Sequence, residues 1–544
     1  MMTRIFKSDK FFFIALTLTG VACSMFFRYE LLWDFLHYHY YNGFAFVYDR
    51  LGYDIAPAAL NTYFNPLLDT LTFLAVNAFN DMPDVYYALT GLPFGLLLFV
   101  CFKINRLFIK NTALALLALI IGATGFATFF QIGTSTNEIP VALIVMTALY
   151  FMIKALFVQF SLYGFLGAAF LLGAAAALKS TAAVYCVSSG IAVIAFYKNI
   201  DKPFKNISLF TLCGLAGFLF FNGFWMFKLY SLFQNPFFPF MNKIFKSPFF
   251  DDVNYSFRVI FADRSFWDAV FLPFSFITHF QTSYTANNAF TDIRFAAAFV
   301  LLFCAIPCYR SLMKDKPFAF LIVWCLISYL LWLYLFSVIR YLVPVEMMLP
   351  VFFIKAALKI KPEKPHILKE AVTYSAFIIF VGACLTTPFL SDSWGSRKGY
   401  EKIFEIPDFT LPENTILLTR NSQNSAVAAK LAQKTPIRIL HQETISSAEQ
   451  NHKNFTSRGA FLHQMQQILK ENPSAPLLLL ISSPPFPLPQ PPDTGCRLFS
   501  ELSLKTISPE TIKNVTLLDL QILSFSHLLC VPTQLYDRVF ENTL

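Results

Sequence analysis

Apolar runs long enough to cross a bilayer recur along the chain and constrain it more than any other feature. FFFIALTLTGVACSMFF at 11–27 is the first, and others lie near 85–103, 112–131, 137–153, 159–178, 181–197, 206–226, 293–309, 317–337, 341–358 and 369–389. A helix needs about 20 apolar residues to cross the hydrocarbon core, where backbone polar groups must be paired internally, so about eleven transmembrane helices are expected. The fold class is an α-helical polytopic membrane protein. Residues 66–79, PLLDTLTFLAVNAF, are short for a span and carry Asp69, and read as an interfacial or re-entrant helix, with a twelfth crossing as the alternative. Composition agrees, with 56% hydrophobic and 14% charged residues against about 25% charged in soluble domains.

The chain carries a net charge of +9, but its Lys and Arg cluster between apolar runs and form no extended basic face, which argues against a nucleic-acid partner. KINRLFIK (103–110), Lys154, YKNIDKPFK (197–205), YRSLMKDKP (309–317) and KIKPEKPHILK (359–369) alternate with loops poorer in such residues. With a cytoplasmic N-terminus every cluster falls inside. The first run follows Arg4, Lys7 and Lys10 and reads as an uncleaved anchor, because no small-x-small cleavage site precedes the polar loop. The opposite face then carries 28–84, the GTSTNE turn at 133–138, the KST turn at 179–181, a long loop at 227–292, the SVIR turn at 337–340 and the tail.

The expected division is a membrane domain over 1–390 and a small extracytoplasmic α/β domain over 391–544. TILLTR, IRIL, LLLLIS and LLDLQIL in the tail are short apolar runs separated by stretches such as SAVAAKLAQK. SPPFPLPQPP (483–492) reads as a loop or extended connector. Eight of ten cysteines lie in or beside apolar runs, where a thiol acts as a small hydrophobe; Cys496 and Cys530 lie in polar sequence and are candidates for a disulfide.

The segment after the first run, WDFLHYHYYNGFAFVYDRLGYDIAP, is unusually ionisable for such a chain. Aromatic anchoring at the interface explains its Tyr and Phe but not Asp34, His37, His39, Asp49, Arg50 and Asp54. A helix there would put Asp34, Tyr38 and Asn42 on one face, with His37 and Tyr41 beside them. Asn137, Glu138, Lys179 and Arg340 fall on the same side by topology. Each alone could be a snorkelling charge; together they suit a substrate with a hydroxyl to be deprotonated and a phosphate to be held.

An Asp just beyond the first span, a second acid in the next outer loop, a long first outer loop and a tail outside the membrane together resemble the GT-C superfamily of glycosyltransferases, whose donors are polyprenyl-phosphate-linked sugars. WDFLHYHYYN, DIAPAALNTYFNPLLD (54–69), GLLLFVCFKIN, LKST, QNPFFPFMN (234–242), TDIRFA (291–296) and SVIRYLVPVE (337–346) are similar to segments of bacterial multi-pass members, over about residues 1–390. The resemblance implies an inverting transferase in the bacterial plasma membrane that joins a lipid-linked sugar to a glycan, lipid or protein acceptor. It makes Asp34 the catalytic base and Glu138 the second catalytic carboxylate, placed to position the acceptor or a sugar hydroxyl. Arg340, then Lys179 and Arg50, would hold the donor phosphate, with His37, Tyr38, His39, Asn42 and Asn137 as substrate contacts. No cofactor is required. Asp34 lacks the neighbouring acid of several members, and Asp251 and Asp252 are the candidates for a divalent cation.

Rival readings are a transporter or flippase, which would place ionisable groups near mid-membrane, an O-antigen ligase or polymerase, which would concentrate arginine in a late outer loop where this chain has only Arg258, Arg264 and Arg294, and a non-catalytic subunit whose tail binds a partner. QNPFFPFMN to FFDDVNYSF (234–257) reads as an ordered, partly re-entrant loop with its aromatics at the membrane surface.

Overall fold

A computed structural model describes residues 9–27, 34–250, 265–277, 291–305, 313–359, 378, 380–386, 401–406, 411–420, 424–441, 460–483, 518–522 and 525–530. The chain divides into two compact units, one of residues 1–29, 87–223 and 256–398, the other of residues 30–86, 224–255 and 399–544.

Apolar helices build the first unit. Among the described residues of the chain, five helices are long and apolar enough to cross a membrane: Asp9–Phe27, Pro83–Phe108, Glu138–Val158, Pro203–Phe233 and Lys316–Leu335. Thr112–Ala123, Leu162–Leu178, Ser180–Ala195 and Arg294–Phe303 are shorter apolar helices. This is the architecture of a multi-pass membrane protein. The Asp9–Phe27 and Pro83–Phe108 helices meet through Gly20, Gly91 and Gly95. A Cβ on Gly20 would fall 2.2 Å from the Gly95 nitrogen, and one on Gly95 would fall 2.5 Å from the Thr17 carbonyl oxygen. Small residues four apart allow such backbone approach, the usual packing device where lipid removes the hydrophobic drive. Ser24 and Thr90 hydroxyls bond across the same contact at 2.9 Å.

Two expected spans are interrupted. The 112–131 run stops at Ala123 and continues only as the short turn Phe126–Phe129. The 341–358 run breaks into Ile339–Leu342, Val343–Glu346 and Leu349–Lys359; Pro344 and Pro350 lack the N–H that would continue a preceding helix. The 206–226 run is longer than expected, as Pro203–Phe233. Most of 369–389 lies outside the described residues.

The second unit holds the sheet. Strands β1 (Ile416–Arg420), β2 (Arg438–His441), β3 (Leu477–Ser483), β4 (Leu518–Ile522) and β5 (Phe525–Cys530) lie in the order β2-β1-β3-β5-β4. β1 is parallel to both β2 and β3, and β5 is antiparallel to β3 and β4. Helices Ser425–Ala432 and Ala460–Glu471 precede β2 and β3. Residues 30–86 and 224–255 share this unit with the tail. Ile55 bridges Leu440 on β2, donating to the Ile439 carbonyl at 3.0 Å and accepting from the His441 N–H at 3.1 Å. Two aromatics of the segment expected at the membrane surface lie instead in this unit's core: Phe238 and Phe250 are buried with Tyr63, Trp225, Phe233, Leu418, Leu440 and Phe461. Asn242 enforces that turn, accepting from the Ser247 N–H and donating to the Ser247 and Phe250 carbonyls at 2.8, 3.1 and 2.9 Å.

Candidate functional site

In the first unit, three residues that sequence reasoning had assigned to one side come together. Glu138 opens the helix Glu138–Ile153, and Asn137 before it accepts the Val141 N–H at 3.2 Å. A carboxylate in the first turn is favoured by the helix dipole. Lys179 is the extended residue at which the helix Leu162–Leu178 stops. Arg340 lies on the turn Ile339–Leu342, entered through Ser337, whose φ of 55° is left-handed. Trp332 Nε1 holds that turn by donating to the Val338 carbonyl at 2.7 Å.

The Glu138 carboxylate is 2% exposed and lies 2.7 Å from Lys179 Nζ and 3.2 Å from Arg340 Nε, whose side chains are 15% and 23% exposed. Both cations also lie over the Tyr341 ring, at 5.4 and 5.6 Å, and the Tyr341 carbonyl accepts the Tyr185 hydroxyl at 2.5 Å. A guanidinium and an ammonium thus converge on one carboxylate from partly exposed side chains, groups of the kind that bind phosphate.

Beneath the same turn lies a network that the sequence did not reveal. Arg294 and Asp292 are fully buried and 2.9 Å apart. Arg294 also donates to the Ile121 carbonyl at 2.8 Å, the Thr124 hydroxyl at 2.9 Å and the Cys384 carbonyl at 2.6 Å. The buried Glu346 carboxylate accepts from the Ala127 and Thr128 N–H groups at 3.0 and 2.8 Å and from the Thr128 hydroxyl at 2.7 Å. Asp292 accepts the Phe126 N–H at 3.0 Å. These two carboxylates satisfy the orphan donors of the Phe126–Phe129 turn, which explains the early stop of its span. Gly125 makes the fit possible, because a Cβ there would lie 2.1 Å from the Glu346 carboxyl carbon.

In the second unit, Asp34 is buried at the start of a π-helical turn, Phe35–His39, closed by the Tyr40 N–H on the Phe35 carbonyl and continued by the helix Tyr40–Val47. The wide turn departs from the regular helix expected for Asp34, Tyr38 and Asn42, and adds a residue before the chain comes round again. His37, Tyr38, His39 and Asn42 are buried with it. His39 Nδ1 lies 2.6 Å from Asp69 Oδ1, and Asn42 Nδ2 donates to Asp69 Oδ2 at 3.3 Å and to the Asn61 carbonyl at 3.0 Å. Asp69, in the helix Leu67–Ala78, is thus a buried partner of the imidazole. A lone carboxylate in LLDTLTFL was the signal for it.

Arg50 is engaged elsewhere. Its Nε and Nη2 donate to Asp54 at 2.8 and 2.7 Å, and Nη2 also to the Ile437 carbonyl at 2.6 Å. Asp54 accepts in addition from Tyr41 and from the Ile439 N–H, at 2.8 and 2.9 Å. Burial raises the Asp54 carboxyl above its ordinary range, against the pull of Arg50. This fork fastens the 50–55 turn to β2, an occupation that differs from the phosphate contact expected from sequence.

Among the described residues, no group of three or more His, Cys, Asp or Glu side chains could hold a metal ion. Asp251, Asp252, Arg258, Arg264 and Cys496 lie outside the described residues.

No protein-family profile matches the sequence, and no curated protein does. By structure, the chain is similar to ArnT from Cupriavidus metallidurans in the apo state, at 13% identity and a TM-score of 0.50, over 95% of this chain and 97% of that one. ArnT from the same organism bound to undecaprenyl phosphate gives 11%, 0.49, 95% and 97%. The Archaeoglobus fulgidus oligosaccharyltransferase in the apo form gives 13%, 0.43, 87% and 69%. At such identities the likeness is one of fold, and it rests on the first of the three.

Proposed function

We propose that the protein is an inverting glycosyltransferase that moves a sugar from a polyprenyl-phosphate donor to an acceptor hydroxyl at the outer face of the bacterial plasma membrane, with a cytoplasmic N-terminus. The observation that carries this reading is the pair of cations, Lys179 and Arg340, held against Glu138 on partly exposed side chains. A departing lipid phosphate develops negative charge as the bond from its oxygen to the anomeric carbon breaks, and a guanidinium beside an ammonium meets that need. Glu138 keeps the two cations apart and aimed. Asp34 takes the acceptor hydroxyl proton as that oxygen attacks the anomeric carbon, a contribution of about 10²- to 10⁴-fold.

A second reading gives proton removal to His39, because Asp69 at 2.6 Å from Nδ1 orients the ring as a carboxylate orients a catalytic imidazole. Asp34→Asn and His39→Gln, assayed side by side, separate the two: only the base variant loses transfer by two or more orders of magnitude.

The donor assignment is tested by retention of polyprenyl phosphate, without sugar, on the purified full chain in nanodiscs. Wild type should bind it, and Arg340→Ala or Lys179→Ala should weaken binding by about tenfold or more, the loss of a charge-assisted hydrogen bond of about 1.5–3 kcal/mol. Equal binding by wild type and both variants would defeat the assignment.

A further inference from the structure

The tail's α/β fold presents a place where such folds ordinarily bind ligands. β1 lies between β2 and β3, so the strand order reverses beside β1. In open α/β sheets the crevice at the carboxyl ends of such strands, at the N-terminus of the following helix, is the usual ligand site. Here the helix is Ser425–Ala432, and the chain's own segment 36–37 sits on it.

The Ser425 hydroxyl, on a fully buried residue, donates to the Leu36 carbonyl at 3.1 Å and to the His37 carbonyl. Asn424 Nδ2 ties the same helix start to β3 through the Leu480 carbonyl at 2.8 Å. His441, at the carboxyl end of β2, is 1% exposed and within electrostatic reach of His37. Just past the helix's far end, Gln433 Nε2 donates to the Tyr40 hydroxyl at 2.9 Å. Phe404 packs against the Phe35 and Tyr40 rings at 5.5 and 5.1 Å. The π-helical turn that begins at Asp34 is thus gripped at both ends by tail residues. π turns are uncommon and frequently lie at functional sites, and the uncommon geometry needs outside support.

We infer that Ser425 is a positioning residue for Asp34: its bond to the Leu36 and His37 carbonyls holds the π turn from the tail's α/β fold, whose strand-end crevice is thereby filled by the chain itself. The inference rests on the assignment of Asp34 as base.

The test uses the full chain in nanodiscs with Ser425→Ala, which removes one hydroxyl from a buried site without adding volume. Transfer kinetics and amide hydrogen exchange of the 35–41 peptide are both measured. We expect kcat to fall by about tenfold, the scale of a small misplacement of a reacting group, with donor KM and polyprenyl-phosphate retention unchanged and exchange over 35–41 faster. Tyr40→Phe, which cuts the bond from Gln433 together with the one to Asn77, should act in the same direction. Unchanged exchange overturns the inference whatever the activity, and so does faster exchange with unchanged kcat. A parallel fall of kcat, retention and thermal stability overturns it as well, since that is loss of fold and not of position. If wild type transfers no sugar, the proposed function fails while the exchange measurement still decides whether Ser425 holds the turn.

Discussion

Gly125→Ala is the sharpest probe of the buried network under the Arg340 turn. The added methyl would lie 2.1 Å from the Glu346 carboxyl carbon and 2.5 Å from each of its oxygens. Glu346 must then move, and the Ala127 and Thr128 N–H groups and the Thr128 hydroxyl lose their acceptor. Two buried N–H groups left without partners cost about 1–3 kcal/mol each, and overpacking adds about 1–3 kcal/mol, so a loss of about 3–9 kcal/mol is expected. At about 2–4 °C per kcal/mol, Tm should fall by about 6–36 °C, read by tryptophan fluorescence in nanodiscs. The decisive comparison is a double-mutant cycle with Glu346→Ala. With the carboxylate gone, the methyl no longer meets the atoms nearest to it and should cost less than about 1 kcal/mol, a coupling of about 2–8 kcal/mol between the sites. If Gly125→Ala costs the same in both backgrounds, Glu346 is not what Gly125 accommodates, and the account of this turn is refuted.

Arg50→Ala strands the buried Asp54 carboxylate, so it should destabilise the second unit by about 3–5 kcal/mol while polyprenyl-phosphate retention stays at the wild-type level; reduced retention in a stably folded variant would restore Arg50 to the phosphate site. His441 supplies a pH dependence. Burial, with His37 nearby, pushes its imidazole down to about 3 from the ordinary 6.5. Between those values the unfolded chain binds a proton that the folded chain refuses, so stability is complete above about pH 6.5 and falls with decreasing pH, by about 2 kcal/mol at pH 5. Denaturant titrations at pH 7.5 and 5 should show that loss and His441→Gln should abolish it; a wild-type slope of zero would contradict the burial argument.

The apolar runs made most of the helices legible, because a lipid-facing segment advertises itself by length and composition alone. The Glu138, Lys179 and Arg340 cluster was legible for a different reason: alternating topology put all three at the same ends of their helices, and charges at such ends in a low-dielectric setting seek one another. What escaped was long-range register. Nothing local to Asp69 says that a ring thirty residues earlier will turn to it. Nothing in TDIRFA or SVIRYLVPVE says that Asp292, Arg294 and Glu346 will close over a turn near Gly125. The π turn at Phe35–His39 was missed because its regular-helix alternative has the same residue pattern, and tail contacts such as those of Ser425 select between them. The aromatics of 233–250 carry an interfacial composition and a core role, and only their packing with Tyr63 and Phe461 tells the two apart.

The central claim is that Asp34 removes a proton while Lys179 and Arg340 receive a lipid phosphate. It is tested most directly by single-turnover sugar release from a labelled polyprenyl-phosphate donor in the presence of acceptor, comparing wild type with Asp34→Asn. The account predicts that Asp34→Asn retains the lipid as wild type does but transfers at least a hundredfold more slowly. Transfer at the wild-type rate, with the donor bound, would contradict it.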